Sequence, residues 1–166
     1  MGETGQNDLL PRTVVALVRD RPGVLHRILG SWQAKSFNIR SLAVGASEQP
    51  GLSRMTFVVD ASQDAAEMIA ELRGLEDVTE IRDISDQEFV SRELALIRVR
   101  GGKDVRKRLM DIVEIFHAKI VDVGPESIII EATGHEHTID SLAQLLRDYD
   151  VAEMVRTGRV SMSRTR

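Results

Sequence analysis

The apolar positions in the first half of the chain recur at two different spacings. Alternation of apolar with polar residues predicts strands, and recurrence every three or four residues predicts helices. Strands are expected at 14–18, 39–46, 55–59 and 78–84, and helices at 24–32 and 62–73. The order is therefore strand, helix, strand, strand, helix, strand.

The second half of the chain repeats this order with little identity of sequence. Its strands are expected at 94–99, 118–123, 127–132 and 151–160, and its helices at 103–116 and 138–148. Each half has the split βαβ pattern of the ferredoxin-like fold. The sequence thus predicts an α+β protein of two ferredoxin-like βαββαβ domains, each an antiparallel sheet with helices on one face.

A polar stretch separates the two halves and sets the expected domain boundaries. Residues 1–11 are expected to be a flexible tail, 12–85 the first domain, 86–92 a linker, 93–162 the second domain and 163–166 a second tail. Such sheets leave one face and their edge strands open, and domains this small are marginal when isolated. We therefore expect the chain to form a dimer.

Composition narrows the function classes. A net charge of −4 gives no case for binding nucleic acid or an anionic membrane, and the absence of cysteine removes disulfides and thiolate catalysis. No apolar run approaches the roughly 18 residues that span a bilayer, and the first ten residues lack the features of a signal peptide. We expect a cytoplasmic protein. No nucleophile elbow, phosphate-binding loop or zinc signature is present, so no catalytic residue is predicted.

A candidate ligand site begins where the first strand runs into the first helix. Pro22 suits the first turn of a helix, and Gly23 lets another molecule approach the backbone. Free N–H groups at a helix start suit a carboxylate, and Asn38 is expected to face the same helix end. Asp20 completes a small polar pocket in this interpretation. In the alternative one, Asp20 simply caps the helix.

Several motifs resemble a known family. Residues 20–25 (Asp-Arg-Pro-Gly-Val-Leu) resemble the turn of ACT domains, the amino-acid-sensing modules of biosynthetic enzymes, and residues 37–39 resemble the start of the second ACT strand. The runs at 38–44 and 50–56 more closely resemble the small regulatory subunits of acetolactate synthase. Residues 91–99 contain the Arg-Glu-Leu run with which that family opens its second domain. The resemblance covers about residues 12–162.

The resemblance implies a regulatory subunit without a catalytic site or cofactor of its own. Its partner would be the catalytic subunit of acetolactate synthase, which binds thiamine diphosphate, magnesium and FAD in branched-chain amino acid biosynthesis. The small subunit would activate that enzyme and confer feedback inhibition by valine or another branched-chain amino acid. It would form a homodimer through its ACT domains, with the effector sites between them. The alternative is a free-standing ACT sensor that regulates a different enzyme or a transcription factor.

Carried over to this chain, the resemblance implies a set of effector-binding residues. Backbone N–H groups of the glycine turn would hold the effector's carboxylate, and Asn38, from the neighbouring chain or the same one, would meet the zwitterion. Asp20 would accept from the ammonium group and stands where many small subunits carry Asn. Val24, Leu25 and Ile39 would border a side-chain pocket. The implied residues are Asp20, Gly23, Val24, Leu25, Asn38 and Ile39.

Two further clusters invite other functions. His135 and His137 would be the ligands of a metal-dependent enzyme, but no third ligand is evident, so no metal site is expected. A basic cluster follows the start of the second domain, and it lacks the aromatic residues typical of nucleic-acid binding. A solvated face, or contact with an acidic patch of the catalytic subunit, is expected instead. The cluster consists of Arg98, Arg100, Lys103, Arg106, Lys107 and Arg108.

Overall fold

A computed structural model describes residues 11–33, 38–60 and 65–164 of the chain. The chain divides into two compact units. The first contains the described residues up to Val90 together with those from Ser161 onward, and the second runs from Ser91 to Val160. The last residues of the chain, from Ser161 onward, are thus assigned to the first unit.

The first unit has the expected order of elements. Its four strands form an antiparallel sheet in the order β2-β3-β1-β4. The elements are β1 (Arg12–Arg19), α1 (Val24–Gln33), β2 (Ile39–Ala46), β3 (Leu52–Val59), α2 (Ala65–Gly74) and β4 (Val78–Asp83).

Alternation along the strands decides which face of this sheet forms the core. Val14, Ala16 and Val18 of β1 lie in one buried cluster with Ile28 of α1 and Met68 of α2. Residues two apart on a strand share a face, so the helices must cover that face. The ferredoxin-like fold predicted for this half is confirmed.

The second unit repeats the architecture. Its sheet has the order β6-β7-β5-β8, and a short ninth strand pairs with β5. The elements are β5 (Phe89–Arg100), α3 (Lys103–Ile115), β6 (Lys119–Val123), β7 (Ser127–Gly134), α4 (Glu136–Leu145), a short 3-10 helix (Leu146–Asp148), β8 (Asp150–Arg156) and β9 (Val160–Ser163).

Helix α3 ends at Ile115, one residue before the predicted end, and Phe116 is its cap residue. His117 has φ of +51°, and its N–H donates to the carbonyl of Glu114 over 3.0 Å. The N–H of Ala118 donates to the carbonyl of Val113 over 2.9 Å. This pair of bonds is a Schellman motif, in which the residue after the helix adopts the left-handed conformation. The helix therefore ends before His117.

The end of the chain also differs from the prediction. The strand expected at 151–160 is two strands, β8 and β9, and β9 extends to Ser163, the first residue of the expected tail. The expected linker at 86–92 is partly a strand, because β5 begins at Phe89. The N–H of Arg164, just after β9, donates to the carbonyl of Glu88, just before β5, over 2.9 Å. This hydrogen bond joins the end of the chain to the expected linker.

This last strand changes the expected picture of an open sheet face. Val15 and Leu17 alternate with the core residues of β1 and thus lie on the face away from the helices. They line a cavity of about 260 Å³ together with Ser161 and Met162 of β9. Ser161 is only 8% exposed. The C-terminal strand therefore shelters part of the face that was expected to be bare.

Several expectations lie outside the described residues. These are the flexible tail up to residue 10, Phe37 in the ACT-like motif, the start of the second helix at Ser62, and the end of the C-terminal tail at 165–166. Within the part of the chain that is described, no helix combines the length and the apolar character that crossing a bilayer requires.

Candidate functional site

The segment between β1 and α1 folds into a tight turn. The N–H of Val24 donates to the carbonyl of Arg21 over 3.3 Å, and Gly23 has φ of +82°. Proline at the second position and a positive φ at the third are typical of a type II β-turn, which favours glycine there. The backbone itself therefore requires Gly23, a reason separate from access for a ligand.

Hydrogen bonds to neighbouring segments hold this turn in place. The N–H of Asp20 donates to the carbonyl of Gly51, and the N–H of Arg19 donates to that of Asp77, both over 2.8 Å. The guanidinium of Arg27 forms an ion pair with the carboxylate of Asp77 at 2.6 Å. The turn is thus organised by contacts within its own unit.

The Asp20 side chain does not cap α1. The helix begins at Val24, so Gly23 occupies the cap position and Asp20 lies outside the first turn. The side chain of Asp20 is exposed, and among the described residues it has neither a hydrogen-bond nor an ion-pair partner. Its carboxylate is therefore available to a cationic group.

The chemistry of the turn favours a carboxylate. The N–H of Val24 donates to Arg21, but the next N–H groups in the first turn of α1 have no acceptor within the helix, and the helix dipole adds partial positive charge there. A Cβ built on Gly23 would lie 3.0 Å from Nη1 of Arg27, so a guanidinium also faces this place. Arg27 was not among the predicted site residues. The signal that it belongs there is its spacing of four residues from Gly23, which puts both on one side of the helix start.

The expected side-chain pocket needs a correction. Val24 is only 4% exposed and lies in the core, because it shares the inner face of α1 with Ile28. Its side chain does not border a pocket, contrary to the expectation. Leu25 is 43% exposed and remains available, whereas Ile39 packs partly against the core.

The structure does not bring Asn38 to the glycine turn within one chain. In the sheet register Arg19, at the end of β1, pairs with Leu52, whereas Ile39, next to Asn38, pairs with Val59. Leu52 and Val59 are the two ends of the eight-residue strand β3. At about 3.3 Å per residue, Asn38 lies roughly 25 Å from the turn. The same-chain alternative for the pocket is therefore wrong.

Asn38 is instead held by a charged neighbour at its own end of the sheet. Its Nδ2 donates to Oδ2 of Asp60 over 2.7 Å, and the N–H of Asp60 donates to the carbonyl of Asn38 over 3.3 Å. Arg40 donates to the other carboxylate oxygen of Asp60. The hydrogen bonds from Asn38 and Arg40 lower the pKa of Asp60. The carboxylate is thus ionised at neutral pH.

The Arg-Glu-Leu run of the second unit has a structural explanation. Glu93 is 5% exposed and accepts two hydrogen bonds, each 2.8 Å long, from Arg156 on β8. Arg156 also donates to Asp140 of α4 over 2.7 Å. The hydrogen bonds to Glu93 and Asp140 raise the pKa of Arg156 although burial opposes its charge. This network ties β5, β8 and α4 together.

The two remaining clusters show no arrangement for chemistry. His135 stacks on His137 at 5.6 Å between ring centroids and contacts Nη1 of Arg92 at 3.2 Å. The described residues contain no group of three or more metal-ligating side chains around them or elsewhere. In the basic cluster, Arg106 donates to the carbonyls that precede β7, including that of Pro125 at 2.7 Å. That arginine holds a turn.

Comparison with known families places both units. A family model described as the small subunit of acetolactate synthase matches residues 92–165. A second, described as the AHAS small subunit-like ACT domain, matches residues 15–80. Together the two matches span nearly the whole chain.

Individual relatives agree with these matches. The acetolactate synthase small subunit of Mycolicibacterium smegmatis is 43% identical over 153 residues, which cover 92% of this chain and 90% of the relative. The probable acetolactate synthase small subunit of Archaeoglobus fulgidus is 40% identical over 156 residues, with 93% and 98% covered. The crystal structure of the small subunit from Thermotoga maritima matches with a TM-score of 0.86 at 35% identity and covers 95% of this chain and 99% of that one.

Proposed function

This chain belongs to the family of acetolactate synthase small subunits, and on that basis we propose that it binds a branched-chain amino acid between two copies of itself. It is the regulatory subunit of acetolactate synthase, and its first unit is an ACT domain of the kind used for amino-acid feedback. The family match extends over both units, which disfavours a free-standing sensor. The proposal concerns where the effector binds and which residues hold it.

The separation of the glycine turn from Asn38 is the observation that supports a shared site. The two lie roughly 25 Å apart in one chain, because they are at opposite ends of an eight-residue strand. A single zwitterion cannot reach both. In a two-fold dimer the turn of one copy meets the Asn38 end of the other, and symmetry produces two equal sites.

The position of β2 supports this assembly. It is an edge strand of the first sheet and carries Asn38 immediately before it. An exposed edge presents unpaired N–H and carbonyl groups that a second copy can pair with. Pairing along this edge would cover the exposed strand and complete the sites at the same time.

The glycine turn of one copy and the Asn38 end of the other form the two halves of each site, and their chemistry indicates which end of the effector binds where. The turn around Gly23 offers N–H groups and the guanidinium of Arg27, which suit the α-carboxylate. The exposed carboxylate of Asp20 suits the α-ammonium, and Asn38 of the second copy supplies a further polar contact. Leu25 is the exposed apolar side chain beside the turn. This set favours a small apolar amino acid such as valine, leucine or isoleucine.

Catalysis belongs to the other subunit of the assembly. Thiamine diphosphate, magnesium and FAD are assigned to that catalytic subunit, and this chain would hold none of them. We place the assembly in the cytoplasm. Feedback then requires that the effector bind more tightly to the inhibited assembly than to the active one, since a ligand shifts an equilibrium only by its difference in affinity.

Reconstitution with a catalytic subunit tests the function directly. Acetolactate formation is measured with the catalytic subunit alone, after addition of this chain, and with each branched-chain amino acid in turn. We expect the chain to raise the rate and at least one of the three amino acids to reverse that gain. Lysine is the control amino acid, since its charged side chain does not suit Leu25. No activation of the catalytic subunit, together with no heat of binding for any of the three, would refute the proposal.

A further inference from the structure

We propose that Asp60 is a positioning residue of the effector site, which turns the Asn38 amide so that its oxygen faces the ligand. This inference rests on the proposed function, because it assigns a role within the same site. Asp60 was not singled out by the sequence, where it follows a strand and looks like an ordinary loop residue. Its contacts give it a role.

The contacts of Asp60 fix Asn38 from two sides. The main chain is held by the Asp60 N–H, which donates to the Asn38 carbonyl over 3.3 Å, and the side chain by the 2.7 Å bond from Nδ2 to Oδ2. The second carboxylate oxygen is occupied by Arg40. Asp60 therefore accepts from the Asn38 amide with Oδ2, while its Oδ1 is paired with the positive charge of Arg40.

The direction of the amide follows from the charge of its partner. An ionised carboxylate accepts hydrogen bonds and has none to donate, so the group that faces it must be the NH₂ of the amide. The amide oxygen, Oδ1, is then left on the other side of the Asn38 side chain. Without Asp60, either the NH₂ or the oxygen of the Asn38 amide could face the ligand, because an amide offers both a donor and an acceptor.

This direction matters for a zwitterion. An outward Oδ1 accepts a hydrogen bond from an ammonium group and repels a carboxylate. The glycine turn has the opposite preference, since its N–H groups and Arg27 attract the carboxylate. Because the Asn38 oxygen attracts the ammonium group and the glycine turn attracts the carboxylate, an amino acid binds in one orientation. Asp60 thus contributes to the selection of α-amino acids over simple carboxylic acids without touching the ligand.

The test uses Asp60→Asn in the complete chain, reconstituted with a catalytic subunit. The substitution keeps the shape of the side chain but introduces an amide that both donates and accepts, so the direction of Asn38 is no longer enforced. Arg40, which donates to the Asp60 carboxylate, would hold the oxygen of the new amide and turn its NH₂ towards Asn38, so the reversed direction of the Asn38 amide is favoured. We expect the effector concentration for half inhibition to rise roughly threefold to tenfold, because the binding-competent fraction of Asn38 falls well below one half. Activation without effector should stay unchanged. Calorimetry with valine should show the same loss of affinity.

Two further variants separate positioning from general structure. Arg40→Gln removes the other partner of Asp60 but keeps the Asn38 contact, and it should leave the half-inhibition concentration within about twofold of the wild type. The double variant Asn38→Ala with Asp60→Asn should be no weaker than Asn38→Ala alone, because Asp60 acts only through Asn38. A merely structural role would give additive losses instead.

The outcomes distinguish this inference from the proposed function. If Asn38→Ala weakens the effector and Asp60→Asn does not, the role of Asp60 is refuted and the shared site stands. Additive losses in the double variant also refute it. If Asn38→Ala itself leaves effector affinity unchanged, the proposed site is wrong and the role of Asp60 is refuted with it.

Discussion

The carboxylate of Glu93 accepts two hydrogen bonds from the guanidinium of Arg156, each 2.8 Å long. The Glu93 side chain is 6% exposed and that of Arg156 is 30% exposed. A buried ion pair adds little to stability relative to a hydrophobic replacement, but removal of one member leaves the other charge without compensation. The Arg-Glu-Leu run therefore includes a residue on which the second unit depends.

We predict that Glu93→Gln destabilises the second unit by about 3 kcal/mol, because Arg156 keeps its charge and loses its paired carboxylate. Urea denaturation of the full chain, followed by circular dichroism, measures the loss. Glu153→Gln is the matched control, since Glu153 is 59% exposed and its contact with Arg98 is 3.4 Å long. An exposed pair of that kind is worth roughly 0.5 kcal/mol. Equal losses for the two variants would contradict this account.

The acid sensitivity of the first unit should depend on Asp83. Burial opposes ionisation of this carboxyl, but hydrogen bonds from Ser85 and the ion pair with Arg12 prevail and lower its pKa. A lowered pKa in the folded state means that the stabilisation is present above the unfolded pKa of about 3.9. It is lost as the pH falls through the lower folded value.

We therefore predict that Asp83→Asn flattens the loss of stability below about pH 4. The free energy of unfolding is measured in urea from neutral pH down to strongly acidic conditions for both proteins. Asp86→Asn is the control, because Asp86 also pairs with Arg12 but its side chain is 85% exposed. If the free energy of unfolding fell equally steeply with decreasing pH in Asp83→Asn and in the wild type, this role for Asp83 would be ruled out.

The periodicity of apolar residues was enough to predict the order of elements in both units. Where prediction failed, the deciding contacts came from distant segments. Strand β9 has only four residues, so the alternation of Val160 and Met162 with serine is too short to predict a separate strand. It forms because β5, far away in the chain, offers a partner.

The sequence indicated where the candidate site begins, but not which side chains lie beside the turn or how far Asn38 lies from it. Pro22 was expected in the first turn of the helix, whereas it lies in the type II turn that precedes α1. The distance to Asn38 does not follow from local sequence: it depends on the topology, in which β1 and β2 both run antiparallel to β3. Parallel strands start at the same end of a sheet, so the start of β2 must lie far from the end of β1. Asp60 was not predicted, because only its contacts with Asn38 and Arg40 in the folded chain identify its role.

We predict that the first unit needs the last strand for full stability. A chain that stops after Arg159 lacks β9 and leaves the cavity beside Val15 and Leu17 open to water. Its thermal midpoint should fall by roughly 5 °C, which corresponds to about 1 kcal/mol in a unit of this size. The matched control stops after Arg164 and retains β9. If both truncated chains melt alike, β9 does not stabilise the first unit.

The contribution of β9 to the first unit also affects how experiments on fragments of the chain are interpreted. A fragment that ends at Ser85 lacks both β9 and the segment at Glu88 to which Arg164 donates. Loss of activation by such a fragment would therefore mix two causes, the missing second unit and a weakened first unit. Full-length variants are the better means of separating effector binding from activation.

Hybrid dimers provide the decisive test of a site shared between two copies. Gly23→Asp places a carboxylate beside Arg27, where the effector's carboxylate would bind, and Asn38→Ala removes the amide from the other half-site. Each variant alone spoils both sites of its own homodimer. The two variants, carrying different affinity tags, are co-expressed, and the mixed dimer is isolated by two successive affinity steps.

We predict that the mixed dimer regains one of its two sites. In one site the altered turn faces the altered Asn38 position, and in the other an intact turn faces an intact Asn38. Valine titration by calorimetry should therefore give about half the wild-type stoichiometry at near wild-type affinity, whereas each parent homodimer binds at least tenfold more weakly. If both halves of a site came from one chain, every site in the mixed dimer would be damaged. Binding as weak as in the parents would thus exclude a shared site, because each chain of the mixed dimer carries one of the two substitutions.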